Sequence, residues 1–196
     1  SQRFRKKTSQ PDKFPADKFL APFGGGTVLG HIIRRAKQQI SPLLLNINGD
    51  PGRVTSFDIE SFADGTPDQG PLGGILTSMK LAKAQGYDHI VTFSADTPFF
   101  PNNYVSRLIQ VAQEKPTRIA LSCSAGRHHP VMGLFEIRLQ DDLQDYLVRG
   151  ERRVLPWIMG HAPKKVVWPE NDSEVDCEIE PDPFFNINTP EQLAQA

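Results

Sequence analysis

The chain has 196 residues, a length that suits one domain built around one main core. Its 22 Lys and Arg against 23 Asp and Glu leave a net charge of -1, which argues against a general nucleic-acid binder. With 38% hydrophobic residues and no apolar run of about 18 residues, it reads as globular, with no transmembrane helix expected.

Ser1 to Lys7 is polar and basic with no apolar stretch behind it, so no secretory signal is read there. The residues up to Pro15 are rich in Lys, Pro, Gln and Ser and predict an exposed mobile loop. Thr27 to Ala36 reads as a helix capped by Thr27, with Val28, Leu29, Ile32, Ile33 and Ala36 on one face. Leu43 to Asn48 is a short apolar strand closed by the turn Gly49-Asp50-Pro51-Gly52. A glycine-rich turn, Gly70-Pro71-Leu72-Gly73-Gly74, opens a helix from about Leu72 to Ala84. The strand His89 to Ala95 ends at Asp96-Thr97-Pro98. A helix is predicted from Asn102 to about Glu114, strands over Arg118–Ser124 and Pro130–Ile137, and helices over Leu139–Val148 and Val154–Gly160. Lys164 to Trp168 is a late strand. Phe184 to Asn188 is a last short segment, before a capped helix start at Thr189-Pro190-Glu191. Cys123 and Cys177 sit in no C-x-x-C pattern and read as two reduced structural thiols of a cytosolic protein.

Apolar strands, each followed by a helix, predict an α/β fold with a mostly parallel sheet covered on both faces. In such sheets ligands bind beyond the carboxyl ends of the strands. The polar residues there are Asn46 with Asn48, Asp64, Asp96, and Asn186 with Asn188. Asp96 stands at the tip of an apolar strand, where a carboxylate suits a hard cation such as Mg²⁺; a turn-forming Asp is the plainer alternative. The glycine turn at Gly70 to Gly74 lets backbone approach a ligand, but it is not a Walker A loop. Lys18 could neutralise phosphate charge, although most isolated lysines are surface residues. Arg152 and Arg153 suit phosphate recognition, or a solvated helix end. Asn186 and Asn188 would share one side of an extended segment.

Taken in order, Asp17-Lys18-Phe19-Leu20, Gly70-Pro71-Leu72-Gly73-Gly74-Ile75, Asp96-Thr97-Pro98-Phe99-Phe100-Pro101 and Phe185-Asn186-Ile187-Asn188-Thr189-Pro190-Glu191 resemble the molybdenum cofactor guanylyltransferases. So do His129-Pro130 and Gly150-Glu151-Arg152-Arg153-Val154. The resemblance runs over nearly the whole chain. It implies a Rossmann-like nucleotidyltransferase fold in a single domain, 1–196, that joins GMP from GTP to molybdopterin and releases pyrophosphate. It implies Lys18 on the GTP phosphates and Asp96 on Mg²⁺. It places Asn46, Asp64, Gly70 and Gly74 at the nucleotide, and Arg153, Asn186 and Asn188 at molybdopterin. It also implies a cytoplasmic enzyme that hands its product to molybdoenzymes or their chaperones, with no nucleic acid or membrane partner.

The sequence departs from the family at its start. The family opens with a strand and a glycine-rich loop, of which Ser1-Gln2-Arg3-Phe4 matches the end, with Arg3 as the loop arginine beside the triphosphate. The Gly-Gly usual before the Asp-Lys pair is replaced by Arg5 to Ala16. A first strand and phosphate loop, about 15 residues, are therefore expected ahead of Ser1. An acceptor phosphate is already anionic, so catalysis should rest on positioning and charge neutralisation by Arg3, Lys18 and Asp96. Two other readings stand beside this one: a related cytidylyl- or sugar-phosphate nucleotidyltransferase, and a non-catalytic nucleotide- or cofactor-binding module.

Overall fold

The computed structural model describes residues 18–65, 68–114, 117–168 and 182–195. Arg3, the stretch expected to be a mobile loop, and Cys177 lie outside these residues.

A 3-10 turn over Lys18–Leu20 leads into a small antiparallel hairpin of β1 (Pro22–Phe23) and β2 (Gly26–Thr27). Thr27 caps α1 (Val28–Lys37), its hydroxyl accepting the Gly30 amide proton at 3.1 Å. The apolar face read from the sequence is the buried face of α1. β3 (Leu44–Asn46) pairs in parallel with β4 (Glu60–Phe62). Between them Asp50 accepts the Gly52 amide proton at 2.8 Å and starts a 3-10 helix over Pro51–Phe57, where the sequence predicts only a turn. Next come α2 (Gly70–Ala84), β5 (His89–Thr92), α3 (Tyr104–Glu114), β6 (Ile119–Ser124) and β7 (Arg127–Glu136). The chain continues through α4 (Gln140–Val148), α5 (Val154–Gly160), β8 (Lys164–Trp168) and α6 (Pro190–Gln195).

The larger sheet has the order β5-β7-β6-β8. β6 and β8 are parallel, and β7 is antiparallel to both β5 and β6, so β5, β6 and β8 share one direction. The opposed sense of β7 has a local cause. Ala125 and Gly126 link β6 to β7 with φ of 45° and 73°, and two positive φ values make the tight turn that joins antiparallel strands.

Helices cover both faces, and the alternation of strand side chains shows it. Ala120, Met132, Leu134, Val166 and Trp168 pack with α1 and α3. Ile119, Leu121 and Phe135 point the other way, against α2, α4 and α5. Cys123 of β6 is buried with a free thiol, and burial pushes its pKa up. No helix among the described residues is long and apolar enough to cross a membrane.

The β3–β4 pair stands apart from the four-stranded sheet. Between the two lies an apolar cleft of about 450 Å³, lined by residues 40–46 on one side and 89–95 on the other. Leu29, Ile32 and Ile33 of α1 and Ile75 of α2 also line it. Among the described residues β3 bonds only to β4, and β5 only to β7.

Candidate active site

Two polar clusters adjoin this cleft. The first forms where β3 ends. The parallel register sets Asn46 opposite Phe62, so Asp64, two residues further on, arrives beside the β3 end. The Asn46 side-chain amide donates to Asp64 Oδ1 at 2.8 Å, and that of Asn48 donates to Asp64 Oδ2 at 2.9 Å. The Asp64 backbone N–H donates back to Asn48 Oδ1 at 3.3 Å. Both carboxylate oxygens are thus oriented, and each retains a lone pair for a further donor.

The first turn of α2 closes this cluster. Gln69, its N-cap, makes no side-chain capping bond, so the helix start keeps backbone N–H groups to offer. A Cβ on Gly74 would lie 2.7 Å from Asn46 Oδ1, and one on Gly73 would lie 3.1 Å from Asp64 Oδ2. Gly74 is therefore required by close approach, whereas Gly70, at φ 59°, is required by its backbone conformation. Gly74→Ala should push the Asn46 amide off Asp64. If this cluster holds GTP, as the resemblance implies, GTP affinity is expected to fall about tenfold or more, since overpacking costs typically 1–3 kcal/mol. Nucleotide titration checks this, and unchanged affinity would disconnect the Asn46–Asp64 pair from the nucleotide.

The second cluster surrounds Asp96, half-buried just beyond β5. Ser94 Oγ donates to Asp96 Oδ1 at 2.6 Å. Thr97 Oγ lies 3.3 Å from the same oxygen but 2.7 Å from Asn186 Oδ1. Its single proton belongs to the shorter bond, so Thr97 holds Asn186. The Ile187 backbone N–H donates to the Asp96 carbonyl at 2.8 Å. Lys18 Nζ reaches Asn188 Oδ1 at 3.5 Å. Asp96, Lys18, Asn186 and Asn188 are brought together by these contacts. The carbonyls of both asparagines face donors, and among the described residues their N–H₂ groups have no partner and can donate to an anion. Ile187 is buried between the two.

Arg153 stands exposed at the start of α5, and no described side chain bonds its guanidinium. The paired arginines divide in use: Arg152 donates to the Leu147 carbonyl at 2.8 Å, tying down the end of α4. Asn48, named beside Asn46 at its strand end, and Ser94, to which the sequence assigns no role, orient the two carboxylates, while Thr97, also unassigned, holds Asn186. Their signal was adjacency to Asn46 and Asp96 at strand ends.

Asp96 fits a Mg²⁺ ion by its chemistry. Its Oδ1 is oriented by Ser94, its Oδ2 has no partner among the described residues, and Mg²⁺ commonly takes one or two carboxylates with phosphate oxygens. No group of three or more His, Cys, Asp or Glu able to hold a metal occurs among the described residues. An ion here would thus depend on substrate oxygens.

A doubly covered α/β sheet with a glycine turn and a carboxylate beyond a strand end is the layout of a nucleotidyltransferase. Residues 7–164 match the MobA-like NTP transferase domain. A molybdenum cofactor guanylyltransferase of Mesorhizobium japonicum is 41% identical over 183 residues, covering 92% of this chain and 86% of that protein. One from Nitrobacter hamburgensis is 37% identical over 185 residues, covering 92% and 84%. The chain belongs to the molybdenum cofactor guanylyltransferase family. Its fold is shared with molybdopterin-guanine dinucleotide biosynthesis protein A of Archaeoglobus fulgidus, at a TM-score of 0.68 and 18% identity, covering 94% of this chain and 90% of that one.

Proposed function

We propose that this protein transfers GMP from GTP to molybdopterin, releasing pyrophosphate and forming the guanine dinucleotide cofactor. The observation that carries the reading is the pairing of two different carboxylate clusters beside one cleft. Asn46 and Gly74 line it from the first, and Ser94 and Ala95 from the second. The names of the relatives support the same reading.

In this reading Asp64 binds the base. Guanine presents two donors, N1–H and N2–H, and an oriented carboxylate accepts both. The first turn of α2, at Gly70 to Gly74, offers N–H groups to the nucleotide. Lys18 neutralises phosphate charge, with Arg3 assigned the same task. Asn186 and Asn188 donate to the acceptor, and Arg153 approaches its phosphate. A terminal phosphate oxygen of molybdopterin attacks the α-phosphorus of GTP, and the bond to pyrophosphate breaks. The protein's part is alignment and fixed positive charge, with no strong base needed. Asp96 would hold Mg²⁺, which neutralises charge on the phosphates when bound. A cytoplasmic setting, with transfer of product to molybdoenzymes or their chaperones, completes the reading.

The test is Mg²⁺-dependent pyrophosphate release with GTP, CTP, ATP or UTP in the presence of molybdopterin. Release with GTP alone is expected. Preference for CTP would favour a cytidylyltransferase, and binding without release a non-catalytic module. Alanine variants at Arg153, Asn186 and Asn188 should weaken molybdopterin more than GTP. Weakened GTP binding with intact molybdopterin binding would reverse the two sides of the site.

A further inference from the structure

The segment carrying Asn186 and Asn188 is fastened at two points. One is the contact with Asp96 and Thr97. The other lies at Asp182, against the β6–β7 hairpin. Ser124, the last residue of β6 and 1% exposed, donates its hydroxyl proton to Asp182 Oδ1 at 2.6 Å. The same Ser124 oxygen is 2.7 Å from His129 Nε2. A hydroxyl has one proton, so with that proton on Asp182 the oxygen accepts from His129 Nε2–H. Asp182 Oδ1 also accepts the Phe184 amide proton at 2.9 Å, and the Asp182 carbonyl accepts that of Phe185 at 2.7 Å. The His129 ring stacks on Phe184, with centroids 4.6 Å apart. Phe184 in turn packs on Tyr104 and Trp168.

These three residue types do not make a nucleophile here. The serine, not the histidine, is the middle member, and it is buried away from any substrate. Burial lowers the His129 pKa, with Arg127 and His128 adding to it and Asp182 opposing, so a neutral ring can serve as the donor.

We propose that Ser124, His129 and Asp182 form a positioning latch that sets Asn186 and Asn188 against Asp96, and so governs capture of the phosphate-bearing acceptor rather than of the nucleotide. The latch rests on the function proposed above. Its residues touch neither substrate, and its effect passes through the short segment 184–188.

The test uses the full chain with Ser124→Ala, Ser124→Thr, His129→Leu and His129→Gln. Ser124→Thr keeps the hydroxyl, and His129→Gln keeps an N–H donor. Ser124→Ala and His129→Leu should raise the KM for molybdopterin about tenfold, while the KM for GTP stays within about twofold. Exchange of the Ile187 amide hydrogen should quicken in both, and the Thr and Gln variants should restore it. Equal rises in both KM values, or an unchanged molybdopterin KM, would overturn the latch. Should Ser124→Ala fail to fold, His129→Leu against His129→Gln carries the comparison. A wild type that releases no pyrophosphate would defeat the function, not the latch. The latch would then stand or fall on Ile187 exchange, unchanged exchange overturning it.

Discussion

Asp96→Asn is expected to lower GMP transfer by about a hundredfold or more, the scale of losing one preorganised charge contact at a reacting phosphate. Thermal stability should stay nearly unchanged. The two effects separate because of how Asp96 is held. Among the described residues the short contact of its carboxylate is the Ser94 hydroxyl on Oδ1 at 2.6 Å, and an asparagine carbonyl accepts that bond equally well. The Ile187 amide bonds to the main-chain carbonyl of residue 96, which the substitution leaves alone. What disappears is the negative charge that a Mg²⁺ site requires. Pyrophosphate release measured over a range of Mg²⁺ concentrations, with a melting curve of each protein, checks the prediction. Near wild-type turnover would reject Asp96 as the metal residue.

How far the sequence foretold this arrangement depended on the range of the interactions involved. Thr27 could be read as a cap because its partner, the Gly30 amide, lies three residues away. The β5 strand could be read from its apolar run, but it ends at Thr92, short of the Ala95 expected from Thr97-Pro98. The sense of β7 was hidden, since Ala125-Gly126 lacks the Asn-Gly or Asp-Gly signature of a two-residue hairpin. β4, Glu60-Ser61-Phe62, carries no apolar pattern and is a strand only through its bonds to β3. The same limit applied at the site. Asn46 and Asp64 were separately visible as polar groups at strand ends. That Asn48 shares the carboxylate follows from the β3–β4 register, a tertiary fact. Arg152 and Arg153 looked like a pair because adjacent residues of one type do so in a sequence. Only the position of the Leu147 carbonyl separates them.

The largest effect on stability is expected at the cleft between β3 and β5. We propose that an extended apolar strand, contributed by about 15 residues ahead of Ser1, fills it. The cleft has the attributes of a strand site. Its walls are strands that each bond on one edge only among the described residues, and its lining from α1, with Ile75 and Ala82 of α2, is apolar. Unpaired backbone groups and uncovered apolar faces in the middle of a sheet cost more than a marginally stable domain can absorb. A strand laid there would join the β3–β4 pair to the larger sheet. The loop leaving it would carry the glycine-rich phosphate contacts and set Arg3 and Lys18 on either side of the triphosphate. Intact mass of the protein from its natural source, together with its coding sequence, is the direct check. The natural product should exceed the 21.9 kDa of these 196 residues. The amides of Leu45 and Val91 should also resist hydrogen exchange in it far more than in a chain starting at Ser1. A natural product that begins at Ser1 and still transfers GMP would remove both the strand and the loop from the mechanism.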